Sequence, residues 1–312
     1  MIIFSGGTGT PKLLDGLKRV LPHEDIHVVV NTAEDIWVGG NLITPDIDTV
    51  LYLFSEKIDR SKWWGVDGDT FQTHQSMLDA GFDEGMMIGD VDRATHIMRS
   101  ELLRSGLSLT ESIRELCRHF GISAGIYPMT DDPVSTYISI PEGKLHFQDF
   151  WVGKRGEPDV LDVTIDGIRN ASISPSVLEL LEKEDNVLIG PSNPITSIGP
   201  IIALPGMVDI LKGKNVVAIS PIIGNEPVSG PAGKLMAAKG YDVSSKGVAE
   251  CYADFLDVMV IDSTDTSDIK DIESVGCEVR QENTLMKSVE VSENLSESVI
   301  RIFKELNIYG IN

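Results

Sequence analysis

The opening of the chain constrains its fold most. Met1-Ile2-Ile3-Phe4 is a short apolar run that breaks at once into the loop Ser5-Gly6-Gly7-Thr8-Gly9-Thr10. Pro11 then suits a first helical position, and Leu13, Leu14, Leu17 and Val20 recur at helical spacing. His27-Val28-Val29-Val30 reads as a second strand, ending in Asn31-Thr32-Ala33-Glu34-Asp35. A strand, a glycine loop, a helix and a second strand in that order begin a doubly wound parallel sheet.

The same rhythm returns in the second half. Residues 186–189, 216–219, 258–261 and 277–279 read as further strands, and 296–306 has a helical pattern that closes the chain. A helix is expected over 49–55, after a turn at Thr44-Pro45-Asp46-Ile47-Asp48, and another runs from 194 toward Leu211. The segment from 59 to about 150 is more helical. Thr110 reads as an N-cap, and Gly121 as the stop of that helix. Residues 137–140 and 145–151 read as two strands about a Pro141-Glu142-Gly143 turn. The expectation is one Rossmann-like α/β domain over 1–312, with a helical or lid insertion at about 59–150.

Composition removes several classes of function. The chain has 312 residues, 48 acidic against 26 basic, and a net charge of −22. So acidic a surface repels nucleic acid phosphates. A small polyphosphate would bind only where backbone N–H groups or a metal ion offset that charge. No apolar stretch approaches the roughly 20 residues of a membrane-spanning helix. No basic region precedes a signal-like stretch at the N-terminus. Cys117, Cys251 and Cys277 are widely spaced, which argues against a disulfide framework or a zinc site and fits a reducing cytoplasm.

Four features carry candidate chemistry. The loop at Gly6, Gly7 and Thr8 follows a buried strand, where backbone N–H groups can approach an anion at the next helix start. It has neither the P-loop spacing nor GxGxxG, and a tight structural turn explains it as well. Asp46 with Asp48, Asp67 with Asp69, and Asp90 with Asp92 are Asp-x-Asp pairs. In an extended segment such residues share a face and can hold one Mg²⁺. Asp46 and Asp48 are favoured because they follow a strand end. Gly190-Pro191-Ser192-Asn193-Pro194, with Ser197, offers short donors to phosphate, and ordinary helix capping is the plainer alternative. Ser229-Gly230-Pro231-Ala232-Gly233-Lys234 is a further strand-end loop. His96, alone on a helical stretch, is more often structural, and Trp37 sits where a ring could stack on a planar ligand.

These motifs, taken in order with Met129-Thr130-Asp131-Asp132-Pro133-Val134 and Phe147-Gln148-Asp149, resemble the 2-phospho-L-lactate transferases over nearly the whole chain. The resemblance implies an enzyme of coenzyme F-420 biosynthesis with Mg²⁺ as cofactor, and an archaeal, methanogen origin. It would move phospholactate from lactyl-2-diphospho-5'-guanosine to the ribityl hydroxyl of 7,8-didemethyl-8-hydroxy-5-deazariboflavin, releasing GMP. Some relatives use an enolpyruvyl donor, and the oligomeric state stays open, a homodimer included. The resemblance implies that Asp46 and Asp48 hold Mg²⁺ or orient the hydroxyl. Asn31, Thr32, Asp35, Trp37, Asp48 and Met87 would meet the deazaflavin acceptor. Gly6, Gly7, Thr8, Gly190, Ser192, Asn193, Ser197, Gly230, Ala232 and Lys234 would meet the GDP moiety. Met86-Met87 departs from the aromatic and basic residues expected before Gly89-Asp90, so an acceptor contact at 87 must come from backbone or thioether. The alternatives are a superfamily relative with a sugar-nucleotide or regulatory role, and a Rossmann oxidoreductase, which the missing GxGxxG disfavours.

Overall fold

A computed structural model describes residues 1–228 and 230–309. The chain runs β1 (Ile2–Ser5), α1 (Gly9–Val20), β2 (His27–Val30), the hairpin β3 (Ile36–Val38) and β4 (Asn41–Ile43), then α2 (Pro45–Phe54), α3 (Gln72–Asp79), α4 (Asp90–Arg104) and α5 (Leu109–Phe120). Next come β5 (Gly125–Pro128), β6 (Ser135–Ile140), β7 (Gly143–His146), β8 (Asp162–Asp166), α6 (Pro175–Lys183) and β9 (Asn186–Ile189). Short helices α7 (Gly199–Ile202) and α8 (Met207–Leu211) lead to β10 (Asn215–Ile219), the small ribbon β11 (Ile222–Ile223) and β12 (Glu226–Pro227), α9 (Ala232–Ala238) and α10 (Ser245–Cys251). β13 (Val258–Asp262), α11 (Ile269–Glu273), β14 (Glu278–Glu282) and α12 (Val289–Tyr309) complete it.

Seven strands form one sheet in the order β14-β13-β10-β9-β1-β2-β5, every neighbouring pair parallel. This is the doubly wound α/β architecture expected from the opening residues. From β1 the chain winds outward through β2 to β5, then returns to the other side of β1 and winds through β9, β10, β13 and β14. The strand order therefore reverses between β1 and β9, and an open α/β sheet has its crevice at that point. Both faces are covered. Ile2 and Phe4 pack into one apolar layer and Ile3 into the other, and Val29 alternates in the same way with Val28 and Val30. That is why these strands read as continuous apolar runs.

Several local expectations are corrected. Helix α2 begins at Pro45, so Asp46 and Asp48 lie in its first turn and not in an extended turn before it. Proline at the first helical position and carboxylates near the helix N-terminus both favour that start. Residues two apart on a helix diverge by about 200°, so the shared-face argument does not apply to this pair. The N-cap of α5 is Ser108, not Thr110. Its side chain accepts from the Glu111 N–H while Glu111 returns a bond to the Ser108 N–H, a reciprocal capping box. The strand read to 151 stops at His146, and Asp149–Gly153 forms a π-helical turn instead. The helix read as continuous to Leu211 is two short helices separated by Pro205 and by Gly206, whose φ is 88°.

Asp69 and Asp90 cap each other's helices. Asp90 accepts from the Gln72 and Thr73 N–H groups at the start of α3 (3.0 Å each), and Asp69 accepts from Val91 and Asp92 at the start of α4 (2.9 Å each). The Asp90 carboxyl falls below the usual range because Thr70 and Thr73 donate to it. The Gly89-Asp90-Val91-Asp92 motif thus fixes where α4 begins, and with it the direction of the side chains one turn further on.

Candidate active site

A cavity of about 480 Å³ opens at the carboxyl ends of the central strands. Its floor is the meeting of the loops after β1 and β9. Thr10 Oγ1 lies 2.7 Å from Ser192 Oγ, and the Ser192 hydroxyl donates to the Gly6 carbonyl. A Cβ at Gly9 would overlap the Pro191 carbonyl, and one at Gly190 would overlap the Thr10 side chain. These two glycines are required by loop-to-loop contact whether or not a ligand is bound.

The sequence-predicted residues divide into two groups. Gly7, Thr8, Asp46, Asp48, Met87, Ser192, Asn193, Ser197, Gly230 and Ala232 line the cavity. Gly6 and Gly190 lie behind it. Asn31 is buried there too, its side-chain amide donating to Asp46 Oδ2 (3.0 Å) and to the Thr196 carbonyl (3.2 Å), which joins the β2 end, α2 and the β9 loop. Thr32 is buried in the same loop and Asp35 half-buried. Trp37 is not brought to the cavity: the β3–β4 hairpin leaves it 57% exposed. Lys234 is turned away as well, its ammonium held by the Gly156 and Glu157 carbonyls (2.9 Å each). Ser229, in the same predicted loop, lies outside the described residues.

The sequence singled out none of Glu34, Tyr52, Trp64 and Trp151 as a site residue, ranked the Asp90–Asp92 pair below Asp46 and Asp48, and left His96 more often structural; all but Asp90 of these line the cavity. Trp64 and Trp151, 45% and 39% exposed, line it together with Met86 and Met87.

The walls carry two carboxylate groups with opposite electrostatics. In the first, Asp46 Oδ1 accepts from the Gly7 N–H (2.7 Å) and Oδ2 from Asn31. Burial raises the Asp46 carboxyl to about 6, against those two hydrogen bonds, which favour its charged form. Glu34 is raised well above the usual range, by burial first and then by the Asp46 charge; Asp35 is raised by burial, with Arg99 opposing and Asp46 and Asp48 adding. Glu34 Oε1 and Asp35 Oδ1 are buried without a hydrogen-bond partner. Among the described residues, no cationic side chain pairs with any of these three.

The second group is already compensated. Arg99 donates to both oxygens of Asp48, Nη1 to Oδ1 at 2.5 Å and Nη2 to Oδ2 at 3.0 Å. His96 Nε2 stands 3.2 Å from Asp48 and 3.1 Å from Asp92, and the Tyr52 hydroxyl donates to Asp92 (2.6 Å). Burial opposes charge on Asp48, yet Arg99 and His96 outweigh it and hold the carboxyl well below the usual range. Burial likewise opposes charge on His96, and the two carboxylates overcome it, raising the imidazole to about 9. Asp48, Asp92 and His96 bring three potential ligand atoms within 4.8 Å of one another, so they form a possible metal-binding triad.

A doubly wound α/β fold with its crevice at the strand-order reversal defines the class of open α/β-sheet proteins, which bind their ligands outside the carboxyl ends of the strands. The chain belongs to the family described as 2-phospho-L-lactate transferase CofD, whose model matches residues 1–298. It is 66% identical to the 2-phospho-L-lactate transferase of Methanosarcina barkeri over 303 residues, covering 97% of this chain and 98% of that one. The transferase of Methanococcoides burtonii is 62% identical over 306 residues (98% and 100%), and that of Methanocaldococcus jannaschii 48% identical over 302 residues (96% of each). Among solved structures, a UPF0052 family member from Bacillus halodurans superimposes with a TM-score of 0.68 over 96% of this chain and 97% of that one, at 16% identity. That likeness shows the fold. No helix among the described residues is long and apolar enough to cross a membrane.

Proposed function

We propose that this transferase moves the phospholactyl group of lactyl-2-diphospho-5'-guanosine to the ribityl hydroxyl of 7,8-didemethyl-8-hydroxy-5-deazariboflavin, in coenzyme F-420 biosynthesis. The hydroxyl oxygen attacks the phosphorus that bears lactate, the bond from that phosphorus to the bridging oxygen breaks, and GMP leaves with the bridging oxygen. The hydroxyl proton passes to a carboxylate or to water. Such a reaction asks the protein for positioning and charge compensation more than for covalent help. The observation that carries the reading is that a glycine loop, Gly7 to Gly9 against Ser192 and Asn193, and buried carboxylates line one cavity.

Mg²⁺ fits the uncompensated wall. Asp46 and Glu34 would hold it, since both are buried oxygen ligands without a cationic partner and one Glu34 oxygen has no hydrogen bond. Bound there, Mg²⁺ supplies neutralisation of the diphosphate charge. Asp48 suits a different role. Anionic and held on both oxygens, it can accept a hydrogen bond from the acceptor hydroxyl. Trp64, Trp151 and the two methionines that line the cavity with them suit a planar ring, with Gly230 and Ala232 on the nucleotide side.

The test is incubation of the purified protein with the guanylylated lactate, the deazaflavin and Mg²⁺, read by mass spectrometry. A deazaflavin heavier by one phospholactyl group, with GMP in equal amount, is expected. Unmodified deazaflavin with intact, folded protein would sink the proposal. A sugar-nucleotide or regulatory role is less favoured, because full-length relatives at 62% and 66% identity carry the transferase name.

A further inference from the structure

Arg99 is the largest fully buried side chain in the described structure, at 0% exposure, and it does not line the cavity. A guanidinium is costly to bury unless its donors and its charge are met. Here they are met in one particular way. Nη1 and Nη2 each donate to a different oxygen of Asp48, the fork-to-carboxylate geometry that fixes an acceptor in orientation as well as distance. The other side of the guanidinium is anchored to backbone: Nε and Nη2 donate to the Leu42 carbonyl at 3.3 and 2.8 Å. The next residue completes the anchor, since Ser100 Oγ accepts from the Leu42 N–H at 2.8 Å. Helix α4 therefore grips both backbone groups of one β4 residue and, from that fixed place, one carboxylate of α2.

Asp48 has little freedom left. Thr44 N–H donates to its Oδ2 (3.3 Å), His96 Nε2 stands on the same oxygen, and the residue lines the cavity. We infer that Arg99 is a positioning residue for the transfer reaction, holding the Asp48 carboxylate in one orientation at the cavity wall from a place no substrate reaches. The inference rests on the role of Asp48 given above, and it assigns to Arg99 no contact with either substrate. Misplacing a group that orients a reacting hydroxyl by about 1 Å costs on the order of 10²-fold in rate, and a site is only as well placed as the residues behind it.

The experiment is a double-mutant cycle on the full chain. Arg99→Met removes the fork, and Arg99→Lys keeps a charge without the two-point grip. Each is combined with Asp48→Asn, and folding is followed by circular dichroism. Arg99→Met should lower kcat on the order of 10²-fold with the donor KM unchanged. Arg99→Lys should recover part of that loss. In the Asp48→Asn background either change should have little further effect, because the group it positions is gone. Should Arg99→Met fail to fold, the cycle with Arg99→Lys decides. Full kcat in a folded Arg99 variant, or losses that multiply in the double variant, would overturn the inference. If the wild-type protein transfers nothing, the proposed reaction falls, and a crystal structure of Arg99→Lys decides the positioning claim. The Asp48 carboxylate leaves its place beside Thr44 N–H if the guanidinium holds it, and stays if not.

Discussion

Asp46 and Asp48 stand two residues apart in the first turn of α2 and meet opposite surroundings. Asp46 accepts only from neutral donors, the Gly7 N–H and the Asn31 amide, whereas Asp48 is gripped on both oxygens by Arg99. Helical geometry makes this possible, because it sends the two side chains to different sides of the helix. Burial lifts one carboxyl to about 6, and the neighbouring cations hold the other below its usual range. Two like groups whose environments push them apart take different parts in a reaction.

For Asp48 the expected consequence is a loss confined to chemistry. Asp48→Asn keeps the shape and most of the hydrogen bonds but removes the charge that faces the acceptor hydroxyl. Turnover should fall on the order of 10²-fold, while calorimetry finds GDP affinity unchanged. A parallel loss of nucleotide affinity would place Asp48 on the donor side and contradict the assignment.

Glu34 and Asp46 should behave in the reverse sense. If these carboxylates take Mg²⁺, then Glu34→Gln and Asp46→Asn weaken the magnesium-assisted part of GDP binding and leave the magnesium-free part intact. Removing the like-charge repulsion should also raise thermal stability slightly in the absence of metal, since each buried carboxylate is uncompensated there. Titrating Mg²⁺ into the protein with GDP decides the matter: equal magnesium enhancement in wild type and Glu34→Gln removes Glu34 from the site.

Six of the sheet's seven strands were legible as short runs that break into a loop, as at Phe4-Ser5-Gly6 and Ile189-Gly190, whereas β5, the Gly-Ile-Tyr-Pro of 125–128, carries no such run and was not read. The cavity-lining loops followed from that placement. The start of α2 was not, because Thr-Pro-Asp is at once a turn signal and a helix N-terminus, and only the packing of Ile47, Val50 and Leu51 into the core selects the helix. Arg99 was invisible for a different reason. It lies 51 residues from Asp48 on an ordinary amphipathic helix, and nothing local distinguishes a buried guanidinium from a solvated one. Glu34 stood inside a motif already singled out. Its significance comes from tertiary burial against Asp46, which sequence spacing does not encode.

Asp69 tests whether the crossed caps place the cavity wall. Asp69→Ala frees the N–H groups of Val91 and Asp92, and loss of such a cap costs about 1 kcal/mol. The effect should not stop at stability, because the first turn of α4 carries Asp92 against Tyr52 and His96. A modest fall in melting temperature with a raised acceptor KM and an unchanged donor KM is expected. A fall in stability with both KM values unchanged would mean that α4 keeps its course without the cap.

Glu84 gives a pH dependence whose sign can be worked out. Its carboxylate accepts from His74 Nδ1 (2.8 Å) and Arg93 Nη2 (2.6 Å), tying α3 and α4 to the segment that carries Met86 and Met87 into the cavity wall. Burial opposes its charge, but Arg93 and His74 outweigh it, so the folded carboxyl lies below its ordinary 4.5. A group with a depressed folded value stabilises fully above its unfolded value and loses that contribution as pH falls through the folded one. Hydrogen-exchange protection at residues 80–89 should therefore hold above 4.5 and drop below it, ahead of the central strands. Glu84→Gln should lower protection above that point to the level the wild type reaches in acid, and abolish the step. Protection that declines in this segment only together with β1 and β9 would show that global acid unfolding, not this ion pair, sets the response.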